Sequence, residues 1–187
     1  MSAESKQKEK KLWFKKSLQA LADSGPTGKA SAKRIEERGT RLGFTRQKGT
    51  GAAWFDWRKL RYGLFLNADY EDKPSEDPQL YSLIAHEAKH LEQGLLEALS
   101  VRGELVAWQL QYDILTESGI DPGPIWRQLR ELDPSSRADL EQAQALMKES
   151  AGPGYHIDLL PIWPFPAEIF YRLKTLVRRP KRKVGAQ

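Results

Sequence analysis

From Asp77 to Leu91 the chain has the spacing of a helix and of no other regular structure. Asp77 offers an N-cap carboxylate, Pro78 suits the first helical position, and Leu80, Leu83, Ile84 and Leu91 recur at helical intervals. Two of the chain's three histidines, His86 and His90, fall on this run four residues apart and so share one face. Any fold built around it must bury an apolar stripe and find a use for two imidazoles beside that stripe.

The flanking sequence predicts what packs there. Three β-like runs cover residues 41–46, 52–57 and 60–67, the last containing Leu64-Phe65-Leu66, and an antiparallel meander is the simplest arrangement for them. Before them, Lys11 to Leu21 reads as a basic amphipathic helix and Ser31 to Arg38 as a second helix stopped by Gly39. After the histidines, Ser100 has the character of an N-cap for a helix carrying Glu104, Leu105 and Trp108 up to Gly119, which makes an αα-hairpin with its predecessor. Asp121-Pro122 and Asp133-Pro134 open two more helices, residues 152–166 form an irregular proline-rich strap, and a last helix runs from Ala167 to Val177. The expected class is α+β: a small sheet, three-stranded or slightly larger and antiparallel, packed on the histidine helix and the following hairpin helix, with additional C-terminal helices. The expected organisation is a basic N-terminal helix or arm over 1–28, a single domain over 29–177 and a basic tail over 178–187.

At 187 residues there is material for one domain with a real core. The chain has no cysteine, which excludes disulfides, thiolate metal sites and cysteine nucleophiles, and leaves His, Asp and Glu as metal ligands. The start lacks the apolar stretch of a signal peptide and no run approaches the roughly 20 apolar residues of a membrane span, so a cytoplasmic location is expected. Charge is segregated. Residues 63–171 carry nineteen acidic against seven basic side chains, whereas residues 172–187 carry seven basic and none acidic. The acidic surround favours a divalent cation and basic substrates; the basic ends suit nucleic acid or an anionic membrane.

The pentapeptide His86-Glu87-Ala88-Lys89-His90 carries the chemistry. Two imidazoles on one helical face can hold a single Zn²⁺ while Glu87 reaches a water bound to it. This is the HExxH signature, and the sequence resembles the zincin metallopeptidases here. Metzincins carry a further histidine at a position that is Leu96 in this chain, whereas gluzincins use a glutamate from the following helix. Glu104 and Glu97 are the candidates. On an unbroken helix Glu97 would lie about 10 Å beyond His90 along the axis, so it serves only if the chain breaks at Gly94. Glu104, in the first turn of the partner helix, can face the histidine pair across the hairpin; His156 is a remoter alternative.

The stretch from His86 to Gln93, with Glu104-Leu105-Val106-Ala107 after it, is similar to the minimal catalytic cores called minigluzincins over about residues 40–119. The resemblance implies hydrolysis of a peptide or protein substrate, with Glu87 as general base and the segment Gly63 to Asn67 as the sheet edge that binds substrate backbone. A donor must also steady the oxyanion, and Tyr155 or His156 on the strap are the candidates.

Overall fold

The computed structural model describes residues 2–46, 51–56, 61–152 and 155–177. Two helices, α1 (Ala3–Asp23) and α2 (Pro26–Glu37), precede three strands, β1 (Leu42–Thr45), β2 (Ala52–Asp56) and β3 (Arg61–Asn67). The histidine helix α3 (Pro78–Gln93), the single turn α4 (Leu95–Ala98) and α5 (Val101–Glu117) follow. The chain then forms α6 (Pro124–Glu131), α7 (Arg137–Ala151) and α8 (Phe165–Val177). The class is α+β, and among the described residues no helix is long and apolar enough to cross a membrane.

The sheet is mixed rather than the expected antiparallel meander. Its order is β1-β3-β2, with β1 parallel and β2 antiparallel to β3. The reason is in β3 itself, where the successive residues Leu64, Phe65 and Leu66 are all buried. A strand covered on both faces belongs at the centre of a sheet, and a meander would have left it at an edge. The same pairing corrects the substrate-edge expectation for Gly63 to Asn67: hydrogen-bonded on both sides, β3 has no edge to offer.

Helix α3 is the hub. Asp77 caps it by accepting from Gln79 N at 2.9 Å, an interaction worth about 1 kcal/mol, and Pro78 occupies its first turn. Buried residues line nearly its whole circumference, Leu80, Ile84 and Ala85 among them, as a central helix requires. One apolar cluster joins α3 to the sheet, α2 and α1 through Ile84, Leu64, Ile35, Leu21 and Phe14. Since Phe14 and Leu21 are buried here, the segment before residue 28 is built into the packed unit. A second cluster unites α5, α6, α7 and the strap around Leu105, Trp108, Leu129, Leu140, Met147 and Ile157. The interface of α3 with α5 lies between the two clusters.

Candidate metal centre

Two glycines let α5 return against α3. Gly94 stands at φ 75°, a left-handed conformation that ends α3 where a side chain would be strained, and the chain turns sharply into α4. At Gly103 a Cβ would run into the Glu97 carbonyl, so only glycine permits this approach of α5 to α4. Ser100 caps α5, its hydroxyl accepting from Gly103 N at 3.0 Å. The neighbouring residue, Glu104, is thereby delivered to the histidines.

Glu104 Oε2 lies 3.6 Å from His86 Nε2, Glu104 Oε1 lies 3.5 Å from His90 Nε2, and the two Nε2 atoms are 3.2 Å apart. Donors around a tetrahedral zinc at its usual bond lengths of about 2.0–2.1 Å are separated by about 3.3 Å. The distances to Glu104 run to its two different oxygens, but all three separations lie close to that value, so the three side chains could hold one ion. They are also the group of metal-ligating residues that the described part of the chain brings together.

Surrounding groups orient these donors. Gln93 Nε2 donates to the Gly103 carbonyl at 2.9 Å, which fixes the amide so that Gln93 Oε1 faces His90 Nδ1 at 3.0 Å. His90 must then carry its proton on Nδ1 and present a lone pair on Nε2, the tautomer a metal needs. Tyr155 donates its hydroxyl proton to Glu104 Oε2 at 2.6 Å and accepts from Trp108 Nε1 at 3.3 Å. His86 Nδ1 is buried without a hydrogen-bond partner, although the Gln111 side chain stands nearby.

Electrostatics divide the cluster into roles. Burial disfavours charge on His86, but the Glu104 carboxylate, aided by Glu87, outweighs it and makes this imidazole more basic than usual. Burial pushes His90 down to about 4, so it remains neutral. Glu104 is largely desolvated as well, yet the two histidines and the Tyr155 hydroxyl hold it below the ordinary carboxylate range. Glu87 goes the other way: burial, reinforced by Glu104 and only partly offset by His86, pushes it up to about 7. A carboxyl within the electrostatic reach of His86 and poised near neutrality can both accept and return a proton.

Of the residues singled out in the sequence, His86, His90 and Glu104 are assembled at one place, and Glu87 is buried near enough to feel the charges of His86 and Glu104. Glu97 is not among them. The chain does break at Gly94, yet Glu97 turns to Arg102, 3.0 Å away. His156 is exposed at the start of the 3₁₀ turn Ile157–Leu159, away from the three ligating groups. Tyr155 reaches the centre, but its one O–H proton is committed to Glu104 rather than aimed at an oxyanion. Gln93 carries more of the architecture than its place at the end of the histidine helix suggested. A further neighbour missed in the sequence is Trp54 on β2, whose ring centre lies 6.3 Å from that of His90.

Comparison with known proteins yields no matching family model, no matching curated protein and no matching solved structure.

Proposed function

We propose that this protein is a zinc-dependent peptidase in which His86, His90 and Glu104 hold the metal and Glu87 is the general base. The observation that carries the reading is the spacing of 3.2, 3.5 and 3.6 Å among the two Nε2 atoms and the Glu104 carboxylate. Two imidazoles and a carboxylate at this spacing, with the Gln93 amide favouring the Nδ1–H tautomer of His90, suit a cation. Three protein ligands leave a coordination position open, as catalytic rather than structural zinc sites do. When bound, zinc would supply Lewis acidity toward a carbonyl and lower the pKa of a water molecule.

The chain's own groups would do the rest. Glu87 takes the proton of the attacking water and passes it to the departing amine; its position near neutrality suits both transfers. Glu104 would supply negative charge to a bound metal, while Tyr155 holds one of its oxygens in place. Trp54 beside His90 gives the site an aromatic wall, which suits a peptide side chain. The nineteen acidic residues of 63–171 bias the surroundings toward basic segments of a substrate. The substrate class in this reading is a peptide or unfolded protein, and the setting is cytoplasmic.

The test is hydrolysis of an unstructured protein by zinc-loaded wild type and Glu87→Gln. The variant should keep its metal and lose activity by at least about a hundredfold. Equal hydrolysis by both proteins would overturn the assignment.

A further inference from the structure

Among its described side chains, helix α8 meets the body of the protein through Glu168 and Tyr171 and leaves the apolar ones on its other side exposed. On the attached side, Glu168 is buried and receives Arg137 Nη1 at 2.9 Å and Nη2 at 3.3 Å, while the Arg137 guanidinium lies 4.0 Å from the centre of the Tyr171 ring. On the other side Phe165 is 60% exposed, Ile169 44%, Phe170 73% and Leu173 54%. At about 100° per residue these four positions occupy one continuous arc, roughly opposite the edge that carries Glu168 and Tyr171. Large apolar side chains are rarely left in water as a contiguous helical stripe unless the stripe has a partner.

Charge selects the partner. By sequence, Arg172 and Lys174 fall at the two borders of the apolar arc, and residues 178–183 add five more cations within six positions. No acidic residue occurs from 172 onward, whereas the preceding 63–171 is strongly acidic. An apolar arc bordered and followed by cations is the composition of a helix lying in the plane of a bilayer interface, with arginine and lysine at the headgroups. Its 13 residues span about 20 Å, too short to cross the hydrocarbon but ample to lie along it. The acidic segment 63–171 would be repelled from the same surface, which leaves the basic ends of the chain to face it, and of these α8 carries the exposed apolar arc.

We propose that α8 is an interfacial helix that docks the protein on anionic lipid bilayers, with Phe165, Ile169, Phe170 and Leu173 among the acyl chains and the positive charge that the sequence carries from residue 172 onward drawing it to anionic lipid. Docking of this kind is independent of the metal centre. Neither the affinity for lipid nor its salt dependence requires His86, His90 or Glu104.

The experiment is co-sedimentation of the full chain with phosphatidylcholine vesicles, with and without phosphatidylserine. Wild type should partition onto the phosphatidylserine vesicles at least about tenfold more strongly, and lose most of that binding between about 0.1 and about 0.5 M salt. Phe170→Asp combined with Leu173→Asp should lower binding at least about tenfold, with helical circular dichroism and zinc content unchanged. Should that variant fold poorly, Arg178→Glu with Arg179→Glu leaves the apolar arc intact and should weaken binding to a similar degree. Binding insensitive to both variants would overturn the proposal, as would equal binding to neutral vesicles. So would a chain that ignores vesicles but binds duplex DNA, or one that self-associates through the arc and loses self-association in the Phe170→Asp, Leu173→Asp variant.

Discussion

Gln93 Oε1 lies 3.0 Å from His90 Nδ1, and the same amide donates to the Gly103 carbonyl at 2.9 Å, one residue before Glu104. A single side chain thus sets the tautomer of His90 and ties α3 to α5, the helix that carries Glu104. Gln93→Leu removes both bonds, leaving His90 free to rotate and the Gly103 carbonyl without this donor. Zinc affinity should fall by about 10–100-fold, the usual cost of losing an outer-shell partner. Competition with a chromophoric chelator measures it. Unchanged affinity would mean that the amide bridge is incidental.

Tyr155 distinguishes a positioning role from a catalytic one. If its hydroxyl serves Glu104, Tyr155→Phe should weaken zinc binding about tenfold and cost about 1–2 kcal/mol of stability, because Trp108 Nε1 loses its acceptor as well. Turnover per bound zinc should then change little. If the hydroxyl instead steadied an oxyanion, kcat would drop about 10²–10³-fold at unchanged zinc affinity. Titrating zinc first and assaying the saturated enzyme afterwards separates the two outcomes.

Glu87 is a liability to the metal-free fold. Burial raises its pKa from the ordinary 4.5 to about 7, so the folded state holds that proton more tightly than the unfolded state does. Stability from this group is therefore fully present below about pH 4.5 and is lost as pH rises through about 7. Glu87→Gln should raise the Tm of the metal-free protein at pH 8 and leave it nearly unchanged at pH 4.5, where the wild-type carboxyl is protonated. Thermal denaturation in chelator at the two pH values is the check, and a variant less stable at pH 8 would refute the sign.

The sequence made some of this legible and concealed the rest, for physical reasons. Asp77-Pro78 and the helical spacing of Leu80, Ile84, His86 and His90 announce α3 because capping and periodicity are local properties. Glu104 was accessible through the brevity of the connection between two helices, which leaves few places for its carboxylate. The parallel pairing of β1 with β3 was not, since pairing is chosen by non-local burial; the uninterrupted run Leu64-Phe65-Leu66 was the available sign that β3 is central. Tyr155 was singled out as an oxyanion donor, and in the structure its hydroxyl proton goes to Glu104. A loop residue 51 positions from Glu104 gives no indication in sequence of which acceptor its proton will find. Gln93 was visible only as a position three residues after His90, and its second bond, to Gly103, depends on the tertiary return of α5.

The central claim is that His86, His90 and Glu104 form one zinc site. Elemental analysis of purified wild type, His86→Ala and Glu104→Ala, each dialysed against zinc and then against buffer, tests it directly. The account predicts about one zinc per wild-type chain, none retained by His86→Ala, and none or only weakly held zinc in Glu104→Ala, with all three proteins folded by circular dichroism. Wild type without stoichiometric zinc, or a Glu104→Ala protein that keeps its zinc as tightly as wild type, would contradict it.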